Sequence, residues 1–398
     1  MVNLVSLIKE FELLHSDQGV NGMKRRKRML LSVASLLLLS SCNSEMEEVT
    51  KDEKKYISSI QKKETYEIQQ PAKFNIARGS IIKNMNNALN MNEIERGLME
   101  LSVNHFSTEK FYMQEGQYLS GKTISQWLSR KTNEDVGLNP AIEHQTDNVL
   151  EDEKRYPLIL SHVLEQDFIN KETNKIEGMS IAISLNEYYD IRVTDDEGLI
   201  YTGQVKVDQN NDEIDDVKIF GKKVAEKIVK DIRGNVKIPN VPIYLTLFQE
   251  SNINDIIPGV FLAETFIPHG EATITKWAEI DKKFYILPSE ALYTLDQNMY
   301  TKLLLFKEDI QKGFKHLNLK IFGKLQYEKG KLTDIQIEVN APLINEPELI
   351  GLLQLISTNL NSILIDYTPI TVRIIDQQQD VGIVLWDPLE KQIFATPI

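Results

Sequence analysis

The chain has 398 residues, of which 42% are hydrophobic and 26% charged, and its formal net charge is −13. This length is enough for two domains, or one large domain, with an ample core. Residues 1–41 carry six basic and three acidic residues, a net charge of +3, so residues 42–398 carry −16. An acidic body is a poor match for nucleic acid or anionic lipid headgroups and suits a solvated extracellular protein.

Residues 23–41 read as a secretory signal peptide. The basic cluster Lys24–Arg28 precedes the apolar run Met29–Leu39, which is the usual order of such signals. This apolar run is well short of the roughly 20 residues that a membrane span needs. Residues 1–22 come before Met23 and are interpreted as a mis-set start or an unprocessed extension, so they are left out of the fold.

The chain's only cysteine, Cys42, directly follows this signal. Leu39, Ser40, Ser41 and Cys42 have the aliphatic, small, small, Cys order of a bacterial lipobox. Small residues let the backbone enter a signal peptidase, which would cut between Ser41 and Cys42, and the thiol can accept a diacylglyceryl group. The alternatives are a plain cleaved signal or a membrane-spanning anchor. The sequence favours a lipid anchor on Cys42, which leaves the exported body without a disulfide or a thiol nucleophile.

The chain after Cys42 starts with a polar segment. Residues 42–70 are rich in Glu, Lys, Gln and Thr, a composition that predicts a flexible tether. Residues 71–170 are predicted to form an N-terminal helical and α+β part. The apolar spacing in this part indicates two short helices broken around Asn90–Asn92, then a strand within Phe111–Leu119 and a helix capped by Thr123.

Five short stretches of this region stand out, namely Ala77–Gly79, Glu95–Met99, Gln114–Tyr118, Trp127–Leu128 and Gly137–Pro140. Together they resemble the CamS family, which consists of sex-pheromone-precursor lipoproteins of low-GC Gram-positive bacteria. The Gln-Glu-Gly-Gln-Tyr and Gly-Leu-Asn-Pro runs are the most specific parts. The resemblance extends from the signal peptide to near the C-terminus.

Strands and helices alternate in the remainder of the chain, so the predicted fold class is α+β. We expect a mainly helical N-terminal part followed by two similar α+β units with antiparallel sheets, at residues 171–275 and 276–398, the second preceded by a linking helix. In each unit a strand pair precedes a helix, and the helix precedes a hairpin led by proline. The matched strands begin at Pro242 and Pro369 and at Gly259 and Gly382. This repetition predicts an internal duplication.

The sequence contains no recognisable catalytic, metal or cofactor motif. There is no Gly-x-Ser-x-Gly element and no glycine-rich phosphate loop. The histidines after the signal lack the spacing of metal ligands; they are His105, His144, His162, His269 and His316. Asp208–Glu213 resembles the start of a calcium loop, but Glu213 and Ile219 stand where an EF-hand needs Gly and Glu. A polar turn is favoured there, and we predict no catalytic residue, metal site or cofactor.

Five aromatic residues of the N-terminal part are candidates for a ligand groove, but aromatic residues more often fill cores; they are Phe106, Phe111, Tyr112, Tyr118 and Trp127. We predict that the body is not an enzyme but a binding or interaction domain. The alternative is a cell-envelope hydrolase with a carboxylate site between the two repeats. A deep cleft with two facing carboxylates favours the hydrolase, and a groove without a carboxylate of raised pKa favours binding.

The resemblance to the CamS family also implies a second product. In that family the apolar peptide before the lipidated cysteine is released as a pheromone; here it would consist of Ser35, Leu36, Leu37, Leu38, Leu39, Ser40 and Ser41. The alternative is a signal remnant that is degraded without a role. The predicted location is the outer face of the cytoplasmic membrane. The predicted partners are the membrane, through the lipid on Cys42, lipoprotein-processing enzymes and an unknown envelope ligand, but no nucleic acid.

Overall fold

The computed structural model of the chain describes residues 65–69, 87–132, 136–143, 146–207, 216–363 and 368–398. This part has seven α-helices: α1 (Ala88–Ser102), α2 (Gly121–Leu128), α3 (Val149–Arg155), α4 (Val217–Gly234), α5 (Glu290–Leu295), α6 (Gln297–Gly313) and α7 (Glu346–Leu360). A 3-10 helix, Lys315–Leu317, follows α6. None of the helices in these ranges is both long and apolar enough to span a membrane.

Fifteen strands lie in the same ranges: β1 (Glu67–Ile68), β2 (Phe111–Glu115), β3 (Leu160–Asn170), β4 (Ile176–Leu185), β5 (Tyr188–Thr194), β6 (Ile200–Lys206), β7 (Ile243–Gln249), β8 (Val260–Ile267), β9 (Ala278–Glu279), β10 (Lys282–Leu287), β11 (Lys320–Glu328), β12 (Lys331–Asn340), β13 (Ile370–Asp376), β14 (Gln379–Asp387) and β15 (Gln392–Pro397). They form a seven-stranded sheet in the order β1-β2-β3-β4-β7-β8-β9, a six-stranded sheet in the order β10 to β15, and the separate β5–β6 hairpin. The predicted α+β class is confirmed.

Six strands of the first sheet, β2-β3-β4-β7-β8-β9, repeat the arrangement of the second sheet. Each set has one parallel pair at its centre, β4 with β7 and β12 with β13, and antiparallel neighbours elsewhere. The helices fall at the same places in the chain order, with α2 and α3 matching α5 and α6, and α4 matching α7. The first repeat differs by the β5–β6 hairpin between β4 and α4. The shared topology agrees with the predicted duplication, which stays a prediction.

Two backbone hydrogen bonds fix the correspondence between the repeats. Met179 N–H donates to Pro242 O at 3.1 Å, and Ile335 N–H donates to Pro369 O at 3.2 Å. Pro242 and Pro369 are therefore equivalent, as the sequence predicted. The strands predicted to match at Gly259 and Gly382, β8 and β14, also hold equivalent places, but the residue equivalent to Gly382 is Ala263, since Gly382 pairs with Ile374 as Ala263 pairs with Leu247.

The apolar core covers both faces of the first sheet. One cluster packs α2 and α4 against one face, and a second cluster packs α1 against the other. A third cluster lies between the second sheet and the helices α6 and α7. Because β3 lies near the middle of the doubly covered sheet, all eleven of its residues are buried. The buried residues of β3 include several ionisable side chains. Because these interrupt the apolar pattern, the sequence did not predict a strand here.

Two local predictions about the N-terminal part are wrong. No helix break occurs at Asn90, because α1 runs through it. The Asn90 side chain donates to Ser251 O at 2.9 Å and accepts from Gly259 N–H at 2.7 Å, so its role is a distant tertiary contact. The next helix, α2, is capped by Ser120 rather than Thr123, since the Ser120 hydroxyl accepts from Thr123 N–H at 3.1 Å.

The Gly137–Pro140 run forms a bend, and Asn139 in it makes an isolated bridge with Arg130. Gly137 has φ = +93°, and a Cβ there would lie 2.3 Å from Arg130 O, so only glycine fits. Asn139 is 1% exposed and makes four hydrogen bonds to backbone groups. The run therefore joins the end of α2 to the start of β3.

Candidate functional site

The residues predicted to be processed lie outside the described residues. They are Cys42, Ser41 and the peptide Ser35–Ser41. The same holds for Ala77–Gly79, His144 and the polar run Asp208–Glu213. The lipid anchor and the cleavage site therefore stay predictions.

The described histidines are placed singly. His105 stacks on Phe266 with ring centroids 4.8 Å apart, and burial lowers the pKa of its imidazole. His162 is fully buried in β3, and burial lowers its pKa to about 4, so its imidazole is neutral at physiological pH. His316 Nε2 lies 2.8 Å from Glu348 on the surface. In the described ranges no three His, Cys, Asp or Glu side chains are grouped as metal ligands.

The five candidate aromatic residues mostly fill the core. Phe106, Phe111 and Trp127 are each 7% exposed or less, which confirms the core prediction for them. Tyr112 and Tyr118 are partly exposed. None of the five lines the cavity that lies between the two repeats.

That cavity, which we call the inter-repeat cavity, has a volume of about 630 Å³. Its walls come from α1, β2 and β3 on one side and from β11, β12 and β13 on the other. Two of the stretches that resemble the CamS family meet here: Glu95, Arg96 and Met99 come from the first, and Glu115 comes from the second. Its size falls within the range of about 300–1,000 Å³ typical of small-molecule sites, and such sites favour domain interfaces.

Lys324 of β11 lines the inter-repeat cavity and makes no direct ion pair among the described residues, although the charges of Glu93, Asp334 and Glu338 act on it. Its ammonium group lies 5.5 Å from the centre of the Phe284 ring, a distance that allows a cation–π contact. Burial, and secondarily the positive charge of Arg96, lowers the pKa of Lys324. By contrast, Arg96 contacts Glu93 at 3.2 Å and Arg373 contacts Asp380 at 2.9 Å. Lys324 is thus the lining cation that makes no direct ion pair, with part of its charge offset by Glu93, Asp334 and Glu338.

Strand β3 carries a buried acid pair, Glu165 and Asp167, of which Glu165 lines the cavity. Backbone N–H groups of the Gln114–Tyr118 run and the residue after it surround the pair. Glu165 accepts from Leu119 N–H at 2.8 Å, and Asp167 accepts from Gln117 N–H at 3.0 Å. Burial raises the pKa of Glu165. Burial first, and then the neighbouring charge of Glu165, raises the pKa of Asp167 well above its usual range. The pair therefore holds a proton to a higher pH than isolated carboxyl groups would, with the larger rise in pKa at Asp167.

The glycine of the Gln-Glu-Gly-Gln-Tyr run makes room for this pair. A Cβ at Gly116 would lie 2.3 Å from Cγ of Glu165. The equivalent positions of the second repeat carry no carboxyl group. Gly323 corresponds to Glu165, because it pairs with Ile337 as Glu165 pairs with Ile181. Leu325 corresponds to Asp167, because it pairs with Ile335 as Asp167 pairs with Met179, and each partner pairs in turn with equivalent residues of β13 and β7. The fold therefore does not require carboxyl groups at these places.

Replacing Asp167 with asparagine is expected to reduce the pH dependence of stability. A carboxyl group with a raised pKa in the folded state contributes stability that is complete below its unfolded pKa of about 3.9. That contribution is lost as the pH rises through the folded pKa. Asp167→Asn removes the titrating proton, so its free energy of unfolding should fall less between pH 4 and 9 than that of the wild type. Urea unfolding at pH intervals measures this, and parallel curves for the two proteins would contradict the raised pKa of Asp167.

The sequence did not reveal Glu165, Asp167 or Lys324 as site residues. Strand β3 was not predicted, because its ionisable residues hide the apolar pattern. Lys324 stands in a predicted strand where a lysine more often faces solvent. The signal that did point to the site was the resemblance of the Glu95–Met99 and Gln114–Tyr118 stretches to a known family.

Comparison with known proteins gives matches among families and solved structures, while no curated protein matches. The C-terminal domain of the sex pheromone staph-cAM373 precursor from Staphylococcus aureus is 26% identical, with a TM-score of 0.65, and the match covers 79% of this chain and 98% of that one. The sex pheromone precursor from Lactobacillus salivarius subsp. salivarius UCC118 is 25% identical, with a TM-score of 0.69, and the match covers 84% of this chain and 92% of that one.

The family comparison covers most of the body. The model of the CamS sex pheromone cAM373 precursor family matches residues 73–392. That range includes both repeats and the inter-repeat cavity. Precursors of this family are secreted or extracellular. The chain therefore belongs to the CamS sex pheromone cAM373 precursor family.

Proposed function

We propose that this protein is a lipid-anchored precursor lipoprotein on the outer face of the cytoplasmic membrane. Its folded body binds a small extracellular ligand in the inter-repeat cavity and does not catalyse a reaction. The observation that carries the binding role is the convergence of two family-like stretches, Glu95–Met99 and Gln114–Tyr118, on that cavity.

The anchor is supported by the residues around Cys42. The basic cluster, the short apolar run and the order Leu39-Ser40-Ser41-Cys42 together fit lipidation of the cysteine sulfur. Two or more acyl chains, at about 0.8 kcal/mol per buried methylene, hold a protein stably on a membrane. The polar residues 42–70 then separate the body from the bilayer.

The released peptide is the second product in this proposal, and it comprises Ser35–Ser41. Support comes from the names of the similar structures, which are themselves sex pheromone precursors. Cys42→Ala removes the sulfur that accepts the lipid, so the medium of cells carrying this variant should lack the peptide. A synthetic Ser35–Ser41 peptide added to recipient cells then tests signalling, with a scrambled peptide as the control. Equal responses to the two peptides would contradict signalling and leave Ser35–Ser41 as a signal remnant without a role.

The hydrolase alternative receives no support from the comparisons. Glu165 is the cavity-lining carboxylate with a raised pKa, and backbone N–H groups of Tyr118 and Leu119 donate to it. Because both oxygens of Glu165 accept from these backbone N–H groups, the arrangement does not favour proton transfer to a substrate. We therefore propose a binding role.

The chemistry of the cavity favours a ligand with an apolar part and an anionic group. Leu89, Met99 and Leu164 supply apolar surface, and Lys324 supplies a positive charge that makes no direct ion pair among the described residues. The dye 8-anilinonaphthalene-1-sulfonate has both features and fluoresces when it leaves water, so it serves as the probe.

Lys324→Met is expected to weaken binding of this dye at least tenfold, because the sulfonate loses its ammonium partner while the apolar surface remains. The matched control is Lys320→Met, which changes an exposed lysine of the same strand that does not line the cavity. Fluorescence titration of the folded proteins gives the dissociation constants. Unchanged affinity in Lys324→Met, or an equal loss in Lys320→Met, would contradict ligand binding at this site.

A further inference from the structure

A second cavity of about 260 Å³ lies at the carboxyl ends of the parallel strands β4 and β7. We call it the Glu250 cavity. Asn186, directly after β4, and Glu250, directly after β7, both line it. The carboxyl ends of parallel strands are a common place for ligands, because the chain diverges there and leaves a crevice. The volume corresponds to roughly nine water molecules at about 30 Å³ each.

Glu250 is only 6% exposed, and its two hydrogen bonds reach the same oxygen. Ser184 Oγ donates to Oε1 at 2.6 Å, and Ser161 Oγ also donates to Oε1. Among the described residues no donor contacts Oε2 and no cation pairs with the carboxylate. Burial raises the pKa of Glu250 to about 7, with the two serine hydroxyls acting in the opposite direction. A buried carboxyl group thus faces the cavity with one oxygen unused.

The lining of the Glu250 cavity is rich in hydrogen-bond acceptors and has one further carboxylate, Asp190. No lysine, arginine or histidine lines it. Arg130 pairs with Glu153, which also accepts a hydrogen bond from the hydroxyl of the lining residue Tyr189 at 3.0 Å. The lining of this cavity therefore favours a positively charged ligand.

Comparison of the repeats indicates that the fold does not need this carboxyl group. Ser184 of β4 corresponds to Asn340 of β12, because Asn340 pairs with Ile375 as Ser184 pairs with Phe248. Glu250, the first residue after β7, corresponds to Gln377, the first residue after β13. A buried carboxyl group without a cation costs stability, so its presence in one repeat points to a use other than folding.

We propose that the Glu250 cavity binds a small organic primary ammonium ion, whose –NH₃⁺ group pairs with Oε2 of Glu250. A metal ion fits less well, because within the described ranges no three His, Cys, Asp or Glu side chains form a ligand set. The lining residues Tyr188 and Tyr189 supply hydroxyl oxygens and an apolar ring face for the organic part. This site is separate from the inter-repeat cavity and does not depend on the function proposed for it.

Binding of the ammonium ion is coupled to release of a proton. The neutral carboxyl group becomes a carboxylate as the ion pair forms, and the proton passes to solvent. Other titratable groups near the cavity are Asp190, Tyr188 and Tyr189, together with His162 next to Ser161 in β3. Burial raises the pKa of Tyr189 and lowers that of His162 to about 4, so these two do not titrate near pH 7. Affinity should therefore rise about tenfold per pH unit up to pH 7 and then level off.

The test uses a panel of small primary ammonium ions, including n-butylammonium, each with the alcohol that replaces its amino group, such as n-butanol. Ligand-observed NMR titration against the folded body gives the affinities. Members of the ammonium set should bind at least tenfold more tightly than their alcohols, and Glu250→Gln should remove this preference. Glu250→Gln keeps an oxygen for both serine hydroxyls, so it is expected to fold. Glu348→Gln, on the surface of the second repeat, is the matched control.

Three results would overturn the proposal. The first is that no ammonium ion in the panel binds. The second is equal binding by the wild type and Glu250→Gln. The third is an affinity that does not change between pH 5 and 7, since ionisation of the carboxyl group is part of the binding step. If Glu250→Gln unfolds at the same temperature as the wild type, a loss of binding reflects the loss of the site and not the loss of the fold.

Discussion

Replacing Lys282 with methionine is expected to lower the free energy of unfolding by about 3 kcal/mol. Lys282 Nζ lies 2.6 Å from Glu93 Oε1, and the two side chains are 7% and 3% exposed. Removing one partner of a buried ion pair leaves the other charge buried, which typically costs about 3–5 kcal/mol. The lower figure applies because Arg96 still contacts the other oxygen of Glu93 at 3.2 Å. The pair joins α1 of the first repeat to β10 of the second.

The neighbouring residue supplies the control for this experiment. Lys283 is 66% exposed, and its ion pair with Asp281 at 3.5 Å lies on the surface. Lys283→Met should therefore change stability by less than about 1 kcal/mol. The double variant Glu93→Met with Lys282→Met should recover most of the loss, because it removes both buried charges. Chemical denaturation measures all three, and equal small effects of the two single lysine changes would contradict the importance of the pair.

Replacing Asn139 with alanine is expected to cost about 4 kcal/mol. Its Nδ2 donates to Leu128 O at 2.8 Å and Leu160 O at 2.9 Å, and its Oδ1 accepts from Ile159 N–H at 2.7 Å and Leu160 N–H at 2.8 Å. Alanine leaves four backbone groups without these partners, and each unsatisfied buried group costs about 1–3 kcal/mol before water or relaxation reduces the total. Thermal or urea unfolding measures the loss.

The control for Asn139 is Asn254→Ala, since Asn254 is exposed in the connection between β7 and β8. A surface asparagine of this kind should change stability by no more than about 0.5 kcal/mol. If Asn139→Ala were as stable as Asn254→Ala, the Gly137–Pro140 run would not hold α2 to β3 as described.

Strands with simple apolar patterns could be predicted from the sequence, and strands with buried polar residues could not. The strands that follow Pro242 and Pro369 have long apolar runs, so their place and equivalence were predictable. Strand β3 was missed because His162, Glu165 and Asp167 interrupt its pattern, although the sheet buries them from both faces. Helix α1 was predicted to break at Asn90, because a local reading has no access to contacts about 160 residues away.

The candidate site was predictable only in part, for a similar reason. The Glu95–Met99 and Gln114–Tyr118 stretches could be singled out because each is continuous in sequence and resembles a known family. Their meeting point depends on packing between the repeats. Lys324 and Glu250 stand out because neither makes a direct ion pair among the described residues. The sequence alone does not show which charged side chains lack such a pair.

The measurement that tests the account most directly is the intact mass of the protein isolated from its native membrane. The account predicts a mature chain that starts at Cys42 and carries a diacylglyceryl group on the sulfur. The medium should contain the free peptide Ser35–Ser41. A wild-type protein that keeps its leader, or starts at another residue without lipid, would contradict the lipoprotein assignment and leave the family membership resting on the body.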